Sequence, residues 1–246
     1  MQIPYEPILF GIKLNIHLIL EYLAFFLAFR YYVFLRKKTI DNIKKINRLS
    51  IILGASIGAF LGSRLIGFFE FPFIETFNLK TFINIFNNKT IMGGLFGGLL
   101  GVEYAKKIIG EKNSSGDLFT YPIILGIFIG RIGCFLSGTN EFTYGSKTNF
   151  FTGMNLGDGV LRHPIALYEL FFLIGLVFLL KIIQKNNKLQ NGELFKYFMI
   201  SYFSFRFLIE FIKPNTFFII GLSSIQILCL LCILYYRKTI YLFIKN

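Results

Sequence analysis

Long apolar stretches follow one another along the chain, separated by short polar segments rich in lysine and arginine. Each stretch is close to the roughly 20 residues that an α-helix needs to cross the hydrocarbon core of a bilayer. The pattern predicts an all-α membrane protein in which residues 1–246 form one polytopic domain. The seven expected transmembrane helices cover residues 14–35, 49–70, 91–109, 118–137, 164–183, 194–212 and 217–236.

The composition supports this interpretation. Of the 246 residues, 54% are hydrophobic and only 16% are charged, and the mean hydropathy is +0.62. A soluble domain carries about a quarter of charged residues. The formal net charge is +13, but the basic residues lie in short loops and form no basic stripe with interleaved aromatic residues. We therefore expect membrane lipid as a partner and no nucleic acid.

Lysine and arginine are distributed unequally between the two sets of loops. Sixteen fall on the side that includes loop 36–48 and the C-terminal tail, whereas five fall in the opposite loops, apart from Lys13 where the first helix begins. Since cytoplasmic loops carry the excess of basic residues, the N-terminus is predicted outside and the C-terminus in the cytoplasm. The basic residues of the opposite loops are Lys80, Lys89, Lys147, Arg162 and Lys213.

The three cysteines, Cys134, Cys229 and Cys232, all lie within apolar stretches. Their surroundings lack the ligand spacing of a zinc site, and three thiols in such positions do not indicate a disulfide framework. The CxxC formed by the last two is better explained as two small apolar residues than as a redox pair. We expect no metal and no cofactor.

Ionisable residues within the expected helices concentrate in their outer halves, where the arginines are Arg64, Arg131 and Arg206. An intramembrane arginine is costly unless it faces a partner in the bundle interior, so it marks a candidate functional site. Guanidinium groups bind planar, multiply charged oxyanions, and at headgroup depth that anion is a phospholipid phosphate. Alternatively, Arg206 and Glu210 lie four residues apart and neutralise each other. For His17 and Glu21, at the same spacing, the structural pairing is preferred.

Residues 130–145, GRIGCFLSGTNEFTYG, mark the point where an apolar helix breaks into a polar, glycine-rich segment. Segment 138–162 is predicted to be an external loop, and its length for a connection without regular structure favours a lid or binding element. Glycines also recur at GxxxG spacing within residues 93–101. That spacing permits close helix packing or exposes backbone to a ligand, and the sequence leaves both open.

Four motifs occur in order along most of the chain: LGSRLIGF, GRIGCFLSG, LRHPIALYE and FRFLIEF, in the second, fourth, fifth and sixth expected helices. Together they resemble the prolipoprotein diacylglyceryl transferase family. The family signature is a helix end with arginine, glycine, asparagine and phenylalanine, followed by asparagine, glutamate and glycine. Its fifth helix opens with R-H-P-x-x-L-Y-E. Seven spans with an outside N-terminus are what this resemblance implies.

The resemblance extends to individual residues. Arg131 and Arg206 match family arginines that bind the lipid phosphate, and Glu210 matches the acid one turn after the second arginine. Glu141 and Gly145 fit the end of the signature if this loop is longer by a few residues. The expected catalytic residues are Arg131, Arg206, Glu210, His163 and Glu141. The expected substrate-binding residues are Arg64, Arg162, Tyr168, Gly97, Gly98, Cys134, Gly138 and Gly145.

Three positions depart from the family pattern. Cys134 and Ser137 occupy the places of the two signature asparagines. Phe96 precedes a Gly-Gly-Leu triplet where the family has a histidine that is important for activity. Because phenylalanine cannot accept a proton, His163 and Glu141 are the remaining candidates for the base.

The resemblance implies transfer of the diacylglyceryl group of phosphatidylglycerol to the lipobox cysteine thiol of a preprolipoprotein, with release of glycerol phosphate. It places the protein in the bacterial cytoplasmic (inner) membrane, with its active site facing the periplasm or the outside. The partners are then phosphatidylglycerol and a preprolipoprotein signal peptide. The departures leave two alternatives: a paralogue that binds or modifies phospholipid without transferase activity, or a lipid transporter.

Overall fold

The computed structural model describes residues 3–39, 41–70, 88–186, 189–214 and 221–245. Within these ranges the α-helices are α1 (Ile16–Lys38), α2 (Lys45–Phe69), α3 (Ile91–Ile109), α4 (Asp117–Ser137), α5 (Ile165–Asn186), α6 (Glu193–Ile209), α7 (Ser224–Tyr235) and α8 (Arg237–Lys245). The short 3-10 helices are Gly138–Asn140 and Glu210–Ile212. The strands are β1 (Ile8–Leu9), β2 (Ile12–Lys13), β3 (Met154–Asn155) and β4 (Leu161–Arg162). They form two antiparallel ribbons, small additions to an otherwise helical protein.

Each predicted span overlaps one of the helices α1 to α7. Among the described residues α1, α2, α4 and α5 are long and apolar enough to cross a membrane. α3 carries Glu103, Lys106 and Lys107 near its end. α6 and α7 have 17 and 12 residues, or about 26 and 18 Å at the helical rise, which is less than the hydrocarbon thickness. A helical membrane protein is thus confirmed, whereas seven spans and the orientation stay predictions. Residues 217–220 and Lys80 lie outside the described residues.

The chain divides into two compact units. The first contains the described parts of residues 1–40, 115–198 and 212–214, and in it α4 packs against both α1 and α5. Gly133 of α4 allows a close approach of α1, since a Cβ there would lie 3.4 Å from the Cα of His17. This approach brings the first turn of α1 next to the last turns of α4. The predicted site segment, residues 130–145, begins in those turns.

The second unit contains the described parts of residues 41–114, 199–211 and 215–246, and its main contact joins α2 and α3. Both helices present glycines four residues apart, and a Cβ on Gly58 or Gly97 would collide with the carbonyl oxygen of the other. The stripe therefore serves close antiparallel packing, as GxxxG patterns do between membrane helices. Its members are Gly54, Gly58 and Gly62 on α2, and Gly93, Gly97 and Gly101 on α3.

Loop 138–162 has a defined structure. β4 pairs with β3, so that Met154 stands opposite Arg162, and Arg162 also forms an isolated bridge with Lys147. The loop is tied to the end of α4 because the Thr139 N–H donates to the Leu156 carbonyl at 3.0 Å. The predicted binding element is consequently a small folded layer, and its position relative to a membrane stays a prediction.

Candidate active site

Arg131 and Glu169 form a buried ion pair between α4 and α5. The Nε of Arg131 lies 2.8 Å from the Oε1 of Glu169, and the two side chains are 8% and 0% exposed. Removing such charges from water is expensive, and a close carboxylate offsets that cost for the guanidinium. Arg131, one of the predicted site arginines, is therefore held in a fixed position in the interior of the first unit by its carboxylate partner.

Further polar contacts run from Arg131 to the start of α1. The Nη1 of Arg131 lies 3.6 Å from the Sγ of Cys134, and the same sulfur lies 3.5 Å from the Nε2 of His17. The other ring nitrogen of His17, Nδ1, lies 3.5 Å from the Oε1 of Glu141. Arg131, Cys134, His17 and Glu141 thus form a continuous series of contacts, named here the polar chain.

The local sequence explains how the polar chain assembles. Asn15 caps α1, because its Oδ1 accepts a hydrogen bond from the Leu18 N–H at 3.0 Å, and this starts the helix directly before His17. At the other end, Gly138 terminates α4 with a φ of +52°, which glycine adopts without the steric cost of a side chain. The 3-10 turn that begins there leads to Glu141.

Arg162, predicted to bind substrate, is engaged within loop 138–162. Its Nη2 lies 2.7 Å from the Oδ2 of Asp158, and its guanidinium carbon lies 4.8 Å from the centre of the Tyr144 ring. The hydrogen bond from Arg162 holds the pKa of the Asp158 carboxyl below its ordinary value. These contacts give Arg162 a structural role in the loop, and its substrate role stays a prediction.

His163 and Tyr168 form a separate cluster at the start of α5. The Nδ1 of His163 lies 3.1 Å from the Tyr168 hydroxyl, which also contacts the Thr152 hydroxyl. Gly145 packs directly on this cluster, since its N–H donates to the His163 carbonyl at 2.9 Å and a Cβ there would approach the His163 side chain. Within the described part of the chain, the polar side-chain contact of His163 is with Tyr168 and not with the polar chain.

The remaining predicted charges lie in the second unit. The Nη2 of Arg206 is 3.0 Å from the Oε2 of Glu210, and these side chains are 4% and 0% exposed. This is the mutual neutralisation that the spacing allowed, and it also keeps a charged guanidinium in a buried position. The Nη1 of Arg64 donates to the carbonyl of Asn88 at 3.4 Å, next to the start of α3.

Gly97 and Gly98 both face α2. Gly97 meets the backbone of Gly58, and a Cβ at Gly98 would lie 3.5 Å from the Cβ of Ala59. Close packing, one of the two interpretations left open by the sequence, therefore accounts for both glycines. A ligand-binding role for them stays a prediction.

Comparison with known proteins decides the family. Residues 7–242 match the family described as prolipoprotein diacylglyceryl transferase. A phosphatidylglycerol–prolipoprotein diacylglyceryl transferase of Campylobacter lari is 31% identical over 244 residues, covering 92% of this chain and 88% of that protein. Its namesake from Campylobacter hominis is 32% identical over 247 residues, covering 91% and 86%. A protein of the same name from Ehrlichia ruminantium is 37% identical over 169 residues, covering 66% and 62%.

The chain belongs to the prolipoprotein diacylglyceryl transferase family. The structure shows what surrounds two of the residues at which this chain departs from the family pattern. Cys134, in the place of a signature asparagine, belongs to the polar chain. Phe96 packs near the rings of Phe203 and Tyr235, with centroids 6.5 Å away in both cases. A second Gly-Gly-Leu triplet follows Met92, so neither alignment of the family motif supplies a proton acceptor.

Two residues that contact the polar chain or belong to it, Glu169 and His17, are absent from the predicted site residues. Glu169 stands in the span-five motif, but nothing local in the sequence pairs it with Arg131. The sequence pairs His17 with Glu21 four residues on, and the structure also places the ring of His17 against Cys134 and Glu141. The available signal was depth: both residues lie in the outer halves of their helices, at the level predicted for Arg131.

Proposed function

We propose that this protein transfers the diacylglyceryl group of phosphatidylglycerol to the lipobox cysteine thiol of a preprolipoprotein and releases glycerol phosphate. Family membership and the names of its relatives support the reaction class and both substrates. The observation that carries the proposal is the buried Arg131, held by Glu169 and adjacent to Cys134 in the family's signature helix.

The reaction is a displacement at carbon. The acceptor sulfur forms a bond to the terminal glyceryl carbon, and the bond from that carbon to the phosphate oxygen breaks, its electron pair leaving with the phosphate. Negative charge therefore grows on the phosphate in the transition state. A guanidinium already oriented in a low-dielectric site stabilises that charge without reorganisation, and this is where we place Arg131. The family resemblance assigns phosphate binding to Arg206 as well.

We propose the inner membrane of a bacterium as the location, with seven spans, an outside N-terminus and a cytoplasmic C-terminus. The unequal distribution of lysine and arginine supports this orientation. Loop 138–162 then lies on the periplasmic side, where a signal peptide that has crossed the membrane presents its lipobox. The outer-leaflet headgroup of phosphatidylglycerol lies at the same level.

The test is to incubate purified protein with phosphatidylglycerol vesicles and a lipobox peptide and to identify the product by mass spectrometry. The parent should yield a thioether-linked diacylglyceryl peptide. Arg131→Lys and Arg206→Lys keep the charge but lose the planar fork that binds a phosphate bidentately. Each should lose about thirtyfold or more in rate, since impairing a buried charge-assisted pair costs about 2–5 kcal/mol.

Arg237→Lys is the matched control, because Arg237 is exposed at the start of α8, and it should keep the parent rate. Lipid binding without any product in the parent would reject the transferase and favour a lipid-binding paralogue. Movement of labelled lipid across the vesicle bilayer without product would favour a transporter.

A further inference from the structure

We propose that His17 accepts the proton of the acceptor thiol, that Cys134 passes this proton to it, and that Glu141 is the positioning residue of the imidazole. The inference rests on the proposed function and supplies the proton acceptor that Phe96 cannot be. It uses a histidine on α1 that the sequence pattern assigned to a structural pairing.

The two ring nitrogens of His17 have different partners, and this defines their roles. Nδ1 faces the Glu141 carboxylate at 3.5 Å, and an ionised carboxylate only accepts hydrogen bonds. Nδ1 therefore carries the hydrogen, and Nε2 is left with its lone pair directed at the Cys134 sulfur, 3.5 Å away. A base held by a third group on its far side is the general arrangement for activating a hydroxyl or thiol.

Cys134 occupies the position between base and cation. Its sulfur lies 3.5 Å from the imidazole Nε2 of His17 and 3.6 Å from the Nη1 of Arg131. A neighbouring positive charge stabilises the thiolate that Cys134 becomes once it has given its proton to His17, and this thiolate takes the proton of the acceptor thiol. Only 5% of Cys134 is exposed, so bulk water competes little for the proton.

The position of Cys134 links proton transfer to displacement. The Arg131 guanidinium, where we place the leaving phosphate, is in contact with the sulfur that receives the proton. In the proposed relay the acceptor thiol approaches the glyceryl carbon from the side opposite the leaving phosphate oxygen and gives its proton to Cys134. The proton then reaches the ring of His17 through that sulfur, which lies 3.5 Å from Nε2.

The step balances without an oxidant or reductant. Cys134 gives its proton to Nε2 of His17 and takes the proton of the acceptor thiol. The acceptor thiolate forms the sulfur–carbon bond, and the carbon–oxygen bond breaks with its electron pair going to the phosphate. The imidazolium then loses its proton to water or to the glycerol phosphate, which restores the neutral ring.

His163 offers a contrast within the same unit. Its Nδ1 contacts the Tyr168 hydroxyl at 3.1 Å, and its backbone anchors Gly145. A phenol does not hold a ring nitrogen in one protonation state as a carboxylate does, because a hydroxyl both donates and accepts. His163→Gln is therefore the matched comparison for His17→Gln.

The experiment compares a lipobox peptide with its selenocysteine analogue, under reducing conditions and in phosphatidylglycerol vesicles. A selenol is ionised at neutral pH and needs no proton acceptor. His17→Gln should lower turnover with the thiol peptide by about a hundredfold or more, the usual contribution of a general base. With the selenol peptide it should keep turnover close to the parent value. His163→Gln should keep the parent ratio between the two nucleophiles, whatever its absolute rate.

Glu141→Gln provides the second variant, because Glu141 lies outside the helices and is partly exposed. It should show the same selective loss with the thiol, to a smaller extent. Equal slowing of both nucleophiles by His17→Gln and by Glu141→Gln would overturn the relay while leaving the proposed function intact. Failure of the parent to form product with either peptide would instead overturn the proposed function.

Discussion

The ion pair between Arg131 and Glu169 allows a quantitative prediction for Glu169→Gln. Glutamine keeps the volume of the side chain, so the change removes charge without leaving a cavity. The pair is 2.8 Å apart with 8% and 0% of the side chains exposed. Breaking a buried pair by removing one charge costs about 3–5 kcal/mol, or roughly two to three and a half decades in the unfolding equilibrium at about 1.4 kcal/mol per decade.

The measurement is equilibrium unfolding in detergent micelles, with Glu103→Gln as the control. Glu103 lies 3.5 Å from Lys106 and its side chain is 48% exposed, so this change should cost no more than about 1 kcal/mol. If Glu169→Gln were as mild as the control, the buried pair would not be a major contribution to stability. The argument that Glu169 offsets the cost of burying the Arg131 guanidinium would then be wrong.

A double variant separates stability from chemistry. Replacing a buried ion pair by apolar residues of similar volume is often neutral or stabilising. Arg131→Met combined with Glu169→Leu should therefore recover most of the free energy of unfolding lost in Glu169→Gln. It should still lose at least as much activity as Arg131→Lys, because the guanidinium of Arg131 that we place at the leaving phosphate is gone. Recovery of activity together with stability would show that Arg131 has only a structural role.

Three further outcomes are expected. In whole cells of a cysteine-free background, an impermeant maleimide should label a cysteine at Lys147 and not one at Lys44, both of which are exposed in the fold; the reverse would overturn the orientation. Gly97→Leu should destabilise the α2–α3 contact by at least about 1–3 kcal/mol through overpacking, whereas Gly94→Ala, with its nearest new neighbour at 3.7 Å, should unfold like the parent. Asp158→Asn should speed cleavage of loop 138–162 by protease at neutral pH. The arginine partner lowers the pKa of the Asp158 carboxyl from its ordinary 3.8, so the ion pair stabilises the loop at pH values above 3.8. Once the pH falls below the lowered pKa, the carboxyl is protonated, and pepsin should cleave the loop of the variant and of the parent at the same rate.

The helices could be predicted from the sequence because their signal is local. An apolar stretch of sufficient length predicts a membrane helix wherever it occurs, and for α3 the predicted and observed bounds, 91–109, coincide. The ends of the others differ by up to seven residues, the largest difference being at the start of α7. α1, for example, extends through Lys38 because long basic side chains can stay on the polar side of a helix end.

The partners of the buried charges could not be predicted in the same way. Arg206 lies in the last turn of α6 and Glu210 begins the 3-10 helix that follows it, so their spacing of four residues alone indicated the contact that the structure shows. Arg131 and Glu169 lie on different helices, and their contact depends on how α4 and α5 pack. The glycines of α3 left close packing and a ligand contact both open, and the matching glycines of α2 explain them only when the two helices are paired.

The departures at Cys134 and Phe96 illustrate the same limit for chemistry. In a sequence they are two separate losses, of an amide and of a base. In the structure Cys134 is in contact with an imidazole that itself contacts a carboxylate, so the position that lacks the amide has gained a route for a proton. Catalysis requires a proton acceptor near the reacting sulfur and does not depend on which helix supplies it. The substitution at Cys134 is therefore better understood together with His17 than as a missing asparagine, and the selenol experiment tests that pairing directly.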